Sequence, residues 1–251
     1  MLIVLASQAD AGAAKLVSAW HGQNARFLSG ESLSQRGWVW RPGSLDDSCL
    51  VMDGCQLPVR AVRGVVSLMP AIDPRELHHI VADEREYVAA EMTAFLVAWL
   101  TWLSGLGVPV MNRPTPLSLT GPALHHEQWL QAASRVGLPI RRAQRRVPPS
   151  KRPAAEEPWR SWNAVPAGDS ESRVAIPLVG GHCLPGPEGQ QLPDAVCRAL
   201  GRLAAAVGAE LLTALFVESD GQFLFNTAVP TVDVSRTDVA DSILDAFGVA
   251  G

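Results

Sequence analysis

What most constrains the fold is an alternation. Short apolar runs of strand length take turns with longer segments of helical period, and the pattern occurs twice, on either side of a Pro-rich interruption. LIVLA (2–6), a helical stretch over 11–23 and ARFL (25–28) open the first half. Asp10 stands where a helix N-cap belongs, because its carboxylate can accept from the backbone N–H groups that a first turn leaves free. Extended pieces follow at GWVWR (37–41), where Trp38 and Trp40 share a face, at CLVM (49–52) and over 59–68. DDSCLVMDGCQLPV reads as a hairpin turning at Asp53-Gly54. After Asp83 the residues Tyr87, Met92, Phe95, Leu96, Trp99 and Leu103 recur at helical spacing, which predicts a core helix. VPVMN then reads as a buried strand, and a helix over 123–136 closes at Gly137. In the second half RVAIPLVGG, ELLTALFVES and GQFLFNTAV are predicted strands, the last two joined through Ser219-Asp220-Gly221. LPDAVCRALGRLAAAVG and TDVADSILDAFGVA are predicted helices, the latter capped by Ser235 or Thr237. Strands and helices in this order specify the α/β class.

The interruption, VPPSKRPAAEEPWRSWNAVPAG, has no period of either kind and reads as a linker. It divides the 251 residues into an α/β unit over 1–112, a connecting helix and strand over 113–146, the Pro-rich segment 147–172 and a second α/β unit over 173–251. Trp159 and Trp162 lie in that segment. Tryptophan in an irregular Pro-rich stretch is hard to place in a core and is enriched where one protein anchors in another. Contact with a partner chain and folding back over the chain's own helices both remain open for them.

Charge narrows the function. The net charge is −4 and the one basic cluster is RRAQRR (141–146), so nucleic acid is not an expected partner. An acidic protein partner for that cluster is a further option. MTAFLVAWLTWLSGLGVPV (92–110) is uncharged and about long enough to cross a membrane, but Gly105, Gly107 and Pro109 stop the helix part-way. A buried core helix is expected, with no membrane partner. MLIVLAS lacks the charged start of a secretory signal, and Cys49, Cys55, Cys183 and Cys197 form no CxxC pair, which points to reduced thiols and a cytoplasmic location. His78-His79 and His125-His126 are sequence neighbours, about 100° apart on a helix, and make no metal-ligand face. His182-Cys183 follows two glycines and reads as a strand end turning, since direct neighbours seldom have nucleophile–base geometry. No catalytic or metal residue is expected.

Three stretches carry a resemblance. DEREYVAAEMTAFLVAWL, through Arg85, Tyr87 and Glu91, VPVMNRP, through Asn112, Arg113 and Pro114, and QWLQAASRVGLPI are similar to motifs of the ATP-grasp superfamily, in the branch with an N-terminal pre-ATP-grasp domain. The final hundred residues also follow the order of that family's C-terminal subdomain. The resemblance implies a Rossmann-like pre-ATP-grasp domain followed by a reduced ATP-grasp core that lacks most of the central lid subdomain. Two departures bear on activity. Between Ile140 and Arg173 the chain has too few residues and too many prolines for a lid, and Lys151 is the only lysine there. The family also holds magnesium with carboxylates on its last two strands, often an acid two places before an asparagine. Here Asn226 is kept, Leu224 takes the acid's place, and LLTALFV on the preceding strand is uncharged.

The resemblance therefore implies a catalytically degenerate ATP-grasp-like protein with no cofactor. It would be a non-catalytic subunit or binding partner in a natural-product, modified-peptide or cofactor pathway. Its partner would be an intact ATP-grasp ligase or a second copy. The alternative is an active ATP-dependent carboxylate–amine ligase with a small lid, using ATP and Mg²⁺. Arg113, Lys151 and Arg173 would then contact phosphate or substrate, with Glu218, Asp220 and Asn226 near the metal.

Overall fold

A computed structural model describes residues 1–141, 173–219 and 221–248. The first half is built on a four-stranded parallel sheet of order β2-β1-β5-β6, with β1 at Leu2–Leu5, β2 at Ala25–Leu28, β5 at Gly64–Ser67 and β6 at Val110–Met111. All four residues of β1 are buried, which is why LIVL is continuously apolar: a central parallel strand is covered on both faces. Ile3 and Leu5 enter one core with Leu96, Trp99, Leu100 and Leu103 of α3 (Arg85–Gly105). Leu2 and Val4 enter another with Leu16 of α1 (Ala11–Ala19).

With the turn before it, α3 is the one described helix long and apolar enough to cross a membrane by length and composition. The structure sets one side of it on the parallel sheet. The hairpin β3 (Cys49–Met52) and β4 (Cys55–Pro58) turns as expected, with positive φ at both Asp53 (52°) and Gly54 (71°). The expected strand at 37–41 is reduced to one bridge, Val39 to Cys49. Side-chain packing explains the difference. The Trp38 ring lies 5.9 Å edge-on to both Phe95 and Trp99, and Trp40 lies 5.6 Å from Phe95, so the segment follows α3 rather than a ladder.

The second half is an antiparallel sheet of order β10-β9-β7-β8: β7 is Arg173–Val179, β8 His182–Cys183, β9 Leu211–Ser219 and β10 Gln222–Val229. Helices α4 (His126–Arg135) and α5 (Asp194–Val207) cover one face, burying Phe216, Phe225, Leu200 and Leu203 completely. The expected glycine C-cap at Gly137 is present, with φ 82°. The short helix α2 (Gly30–Leu33) follows β2, and α6 (Thr237–Ala246) ends the ordered elements. Asp10 caps α1 as expected, accepting from the Ala13 N–H at 3.0 Å. For α6 the expected side-chain cap is missing, because the Ser235 hydroxyl donates instead to Asp233 at 2.6 Å and Arg236 takes the cap position.

Helix α6 lies between the two sheets, packed on β7 of its own sheet and on the parallel sheet of the first half. Val239, Ala240 and Ile243 pack with Leu2, Val4 and Leu16 of the first half, and Val179 and Leu211 join them. The helix closes down so tightly on β5 that a Cβ at Gly64 would lie 2.8 Å from the Phe247 ring. The two sheets thus share a core.

Candidate functional site

Residues directly opposite in an antiparallel ladder share a face of the sheet. Phe216 and Phe225 are such a pair and point into the α4–α5 core. The row beside them, Arg173, Val217 and Leu224, therefore lies on the other face. The next rows along that face hold Ala175, Leu215 and Thr227, then Pro177, Thr213 and Val229.

Asn226 occupies a β-bulge. The register slips between Phe225 and Thr227, so Asn226 has no partner residue on β9. Phe225 and Ala228 both enter the α4–α5 core although they are three residues apart, which leaves Asn226 and Thr227 together off that core. Asn226 thus shares a face with Leu224 and with exposed Arg173. Bulges of this kind re-aim a side chain, and they concentrate next to sites.

The nearest carboxylate does not join them. Glu218 pairs with Phe223, whose side chain packs against the α4–α5 cluster, so Glu218 belongs to the opposite face from Leu224. Among the described residues, none of the three rows carries Asp or Glu. Asp220 lies outside the described residues, as do Lys151, Trp159 and Trp162.

Arg113 is exposed at the end of β6, where it stands beside Glu210. Burial raises the Glu210 carboxyl above its ordinary range, and the Arg113 guanidinium draws it partly back. Glu210 immediately precedes β9, seven residues from Val217 in the Arg173 row, a separation of about 23 Å along a strand. The structure therefore gathers Arg173, Leu224 and Asn226 at one end of the sheet and puts Arg113 at the other. Arg113→Gln should push Glu210 to titrate at still higher pH, measurable from its side-chain carbonyl shift in an NMR titration. The sign is fixed by linkage. A carboxyl raised on folding binds its proton more tightly in the native state, so stability falls as pH rises from the ordinary carboxylate range through the raised value. The fall should be steeper in Arg113→Gln.

Two further features join residues from distant parts of the chain. The Asn112 side chain, completely buried, donates from Nδ2 to the carbonyls of Thr120 (3.0 Å), Leu211 (2.8 Å) and Pro230 (3.0 Å). Its Oδ1 accepts from the N–H groups of Glu210 (2.6 Å) and Leu211 (2.7 Å). One amide thus ties β6 to the start of β9 and the exit of β10. The second feature is a cavity of about 260 Å³ lined by Asp10, Gly12, Leu68, Thr231, Val232, Asp233 and Val234. It opens beyond the C-terminal ends of β1 and β5, where the chain connections diverge to opposite sides of the parallel sheet. That crevice is where open α/β sheets commonly bind ligands. His79 Nε2 meets the Ser34 hydroxyl at 2.7 Å, and among the described residues there is no group of three or more His, Cys, Asp or Glu that could hold a metal ion.

A parallel sheet and an antiparallel sheet are thus joined through a common core. No family model and no curated protein matches the sequence. Solved structures do match, over nearly the whole chain. Macrocyclase MdnC of Microcystis aeruginosa, bound with precursor peptide MdnA, aligns at TM-score 0.70 and 12% identity, covering 99% of both chains. ATP-grasp ligase PsnB, complexed with minimal precursor, Mg and ADP, aligns at TM-score 0.64 and 13% identity over 98% of both. Macrocyclase MdnB of Microcystis aeruginosa gives TM-score 0.59 and 15% identity, covering 100% of this chain and 99% of that one. The chain has the fold of the ATP-grasp ligases.

Proposed function

We propose that this chain is a catalytically degenerate member of the ATP-grasp fold that acts as a non-catalytic subunit or binding protein in a peptide-modifying biosynthetic pathway. It is a soluble, cytoplasmic protein whose partner is an intact ATP-grasp ligase, its peptide substrate or a second copy of itself. Residues 1–112 play the part of a pre-ATP-grasp domain, and 147–172 replace the lid. One observation carries the reading: Leu224 and uncharged rows occupy the sheet face that also holds Arg173 and Asn226, while Glu218 belongs to the opposite face. Magnesium needs oxygen ligands, usually one or two carboxylates beside the phosphates. An amide, two threonines and an arginine do not replace them. The pathway class rests on the neighbours, which include two macrocyclases and a ligase complexed with its precursor.

A second reading, the active carboxylate–amine ligase, has one observation in its favour, since the bulge puts Asn226 on the same face as Arg173. An assay of ADP release in the presence of Mg-ATP, a precursor-like peptide and free amine separates the two. The proposal expects release at the buffer rate, unchanged in Arg173→Ala. Release well above that rate, lost in Arg173→Ala, would establish the ligase.

A further inference from the structure

Gly180 and Gly181 turn β7 into β8 with φ values of 56° and 85°. The turn lies so close on α5 that a Cβ at Gly201 would stand 3.1 Å from the Gly181 carbonyl oxygen. That contact sets the height of β8 against the helix and brings Cys183 onto Cys197, near the start of α5. Cys183 Sγ lies 3.8 Å from the Cys197 carbonyl oxygen, which sets the two residues side by side. Cys197 Sγ in turn reaches the Leu192 carbonyl at 3.7 Å. Both cysteines are free and half-buried, so a small molecule can approach them.

We propose that Cys183 and Cys197 are a reversible dithiol–disulfide site, oxidised by small disulfides such as oxidised glutathione, that staples the edge strand β8 to α5. In the first step the Cys197 thiolate attacks one glutathione sulfur, the S–S bond of oxidised glutathione breaks, and one glutathione thiolate leaves. In the second step Cys183 gives its proton to solvent and attacks the Cys197 sulfur, releasing the second glutathione as thiolate. Two electrons pass from the cysteine pair to oxidised glutathione, and each glutathione thiolate takes a proton. Burial, with the neighbouring thiol, pushes Cys183 up to about 12 and makes it a poor attacking thiol, so the first attack falls to Cys197 and Cys183 reacts only once the mixed disulfide is held beside it. The closed loop of about 15 residues is of a size whose closure stabilises a native state. The other two cysteines cannot do the same: Cys49 opposes Pro58 and Cys55 opposes Met52, three rungs apart on the hairpin, about 10 Å along the strands and beyond disulfide reach.

The test uses the full chain carrying C49S and C55S, folded and reduced, incubated with oxidised glutathione, acid-quenched and mapped as non-reduced peptides. Both remaining thiols should disappear with no retained glutathione, the peptides holding Cys183 and Cys197 should be linked, and dithiothreitol should restore both thiols. With C183S added, glutathione should be trapped on Cys197. The same linkage should be found in the unsubstituted chain, which removes any doubt about the folding of the variants. Thiols that persist, glutathione retained on both residues without a link, or a link formed only in denaturant would each overturn the proposal.

Discussion

Asn112→Ala should lower the free energy of unfolding by at least about 3 kcal/mol, because the buried carbonyls of Thr120 and Leu211 and the buried Leu211 N–H each lose a partner at about 1–3 kcal/mol. The side chain is completely buried and lies within hydrogen-bond distance of three carbonyls, which share its two amide hydrogens, and two N–H groups, drawn from Thr120, Glu210, Leu211 and Pro230. Alanine removes both ends of the amide at once, and water can replace it only at exposed Glu210 and half-buried Pro230. Asn112→Asp should be at least as harmful, because a carboxylate has no donor to offer and would face three carbonyl oxygens. Urea denaturation measures both. A cost below about 1 kcal/mol for Asn112→Ala would mean that the joint between the two sheets is held by packing alone.

Phe225→Ala should cost about 3–5 kcal/mol, the range for emptying a buried phenylalanine site. Phe225 is fully buried, with its ring 5.8 Å edge-on to Phe216. Its backbone is held on both sides: its N–H donates to the Pro139 carbonyl (2.7 Å), and its carbonyl accepts from the Arg141 N–H (2.9 Å). Those bonds survive the substitution, so the measured loss reports the cavity. Phe225→Leu should recover most of it, and Phe223→Ala, at a half-buried position, should cost distinctly less. Equal costs for Phe223→Ala and Phe225→Ala in thermal melts would contradict the assignment of Phe225 to the core face, and with it the face assigned to Asn226.

Local chemistry was legible in the sequence. The LIVL run, the Asp10 cap, the Asp53-Gly54 turn and the stripe along α3 from Met92 to Leu103 each follow from a handful of neighbouring residues, whereas Tyr87, expected in that stripe, is exposed because the first turn of the helix projects beyond the core. What escaped depends on partners far along the chain. Asn112 was visible only as part of a motif, since two of the carbonyls that explain it are 99 and 118 residues away. The cavity joins Asp10, Leu68 and 231–234, which no single stretch brings together. Replacement of the expected acid by Leu224 could be read directly, but the face of Glu218 could not, because it depends on the register with Phe223. Nor could the bulge at Asn226 be read, since a slip of one residue leaves composition and period almost unchanged. Placement of α6 between the two sheets is likewise a matter of which faces are left uncovered, not of the helix's own sequence.

The central claim is that, among the described residues, the sheet face bearing Leu224 has no carboxylate to hold the metal of a bound triphosphate. Titrating the full chain with Mg-ATP in a calorimeter tests it most directly. The account predicts no heat beyond dilution, for the unsubstituted chain and for Asn226→Ala alike. A saturating isotherm in the micromolar range, abolished by Asn226→Ala or Arg173→Ala, would contradict it.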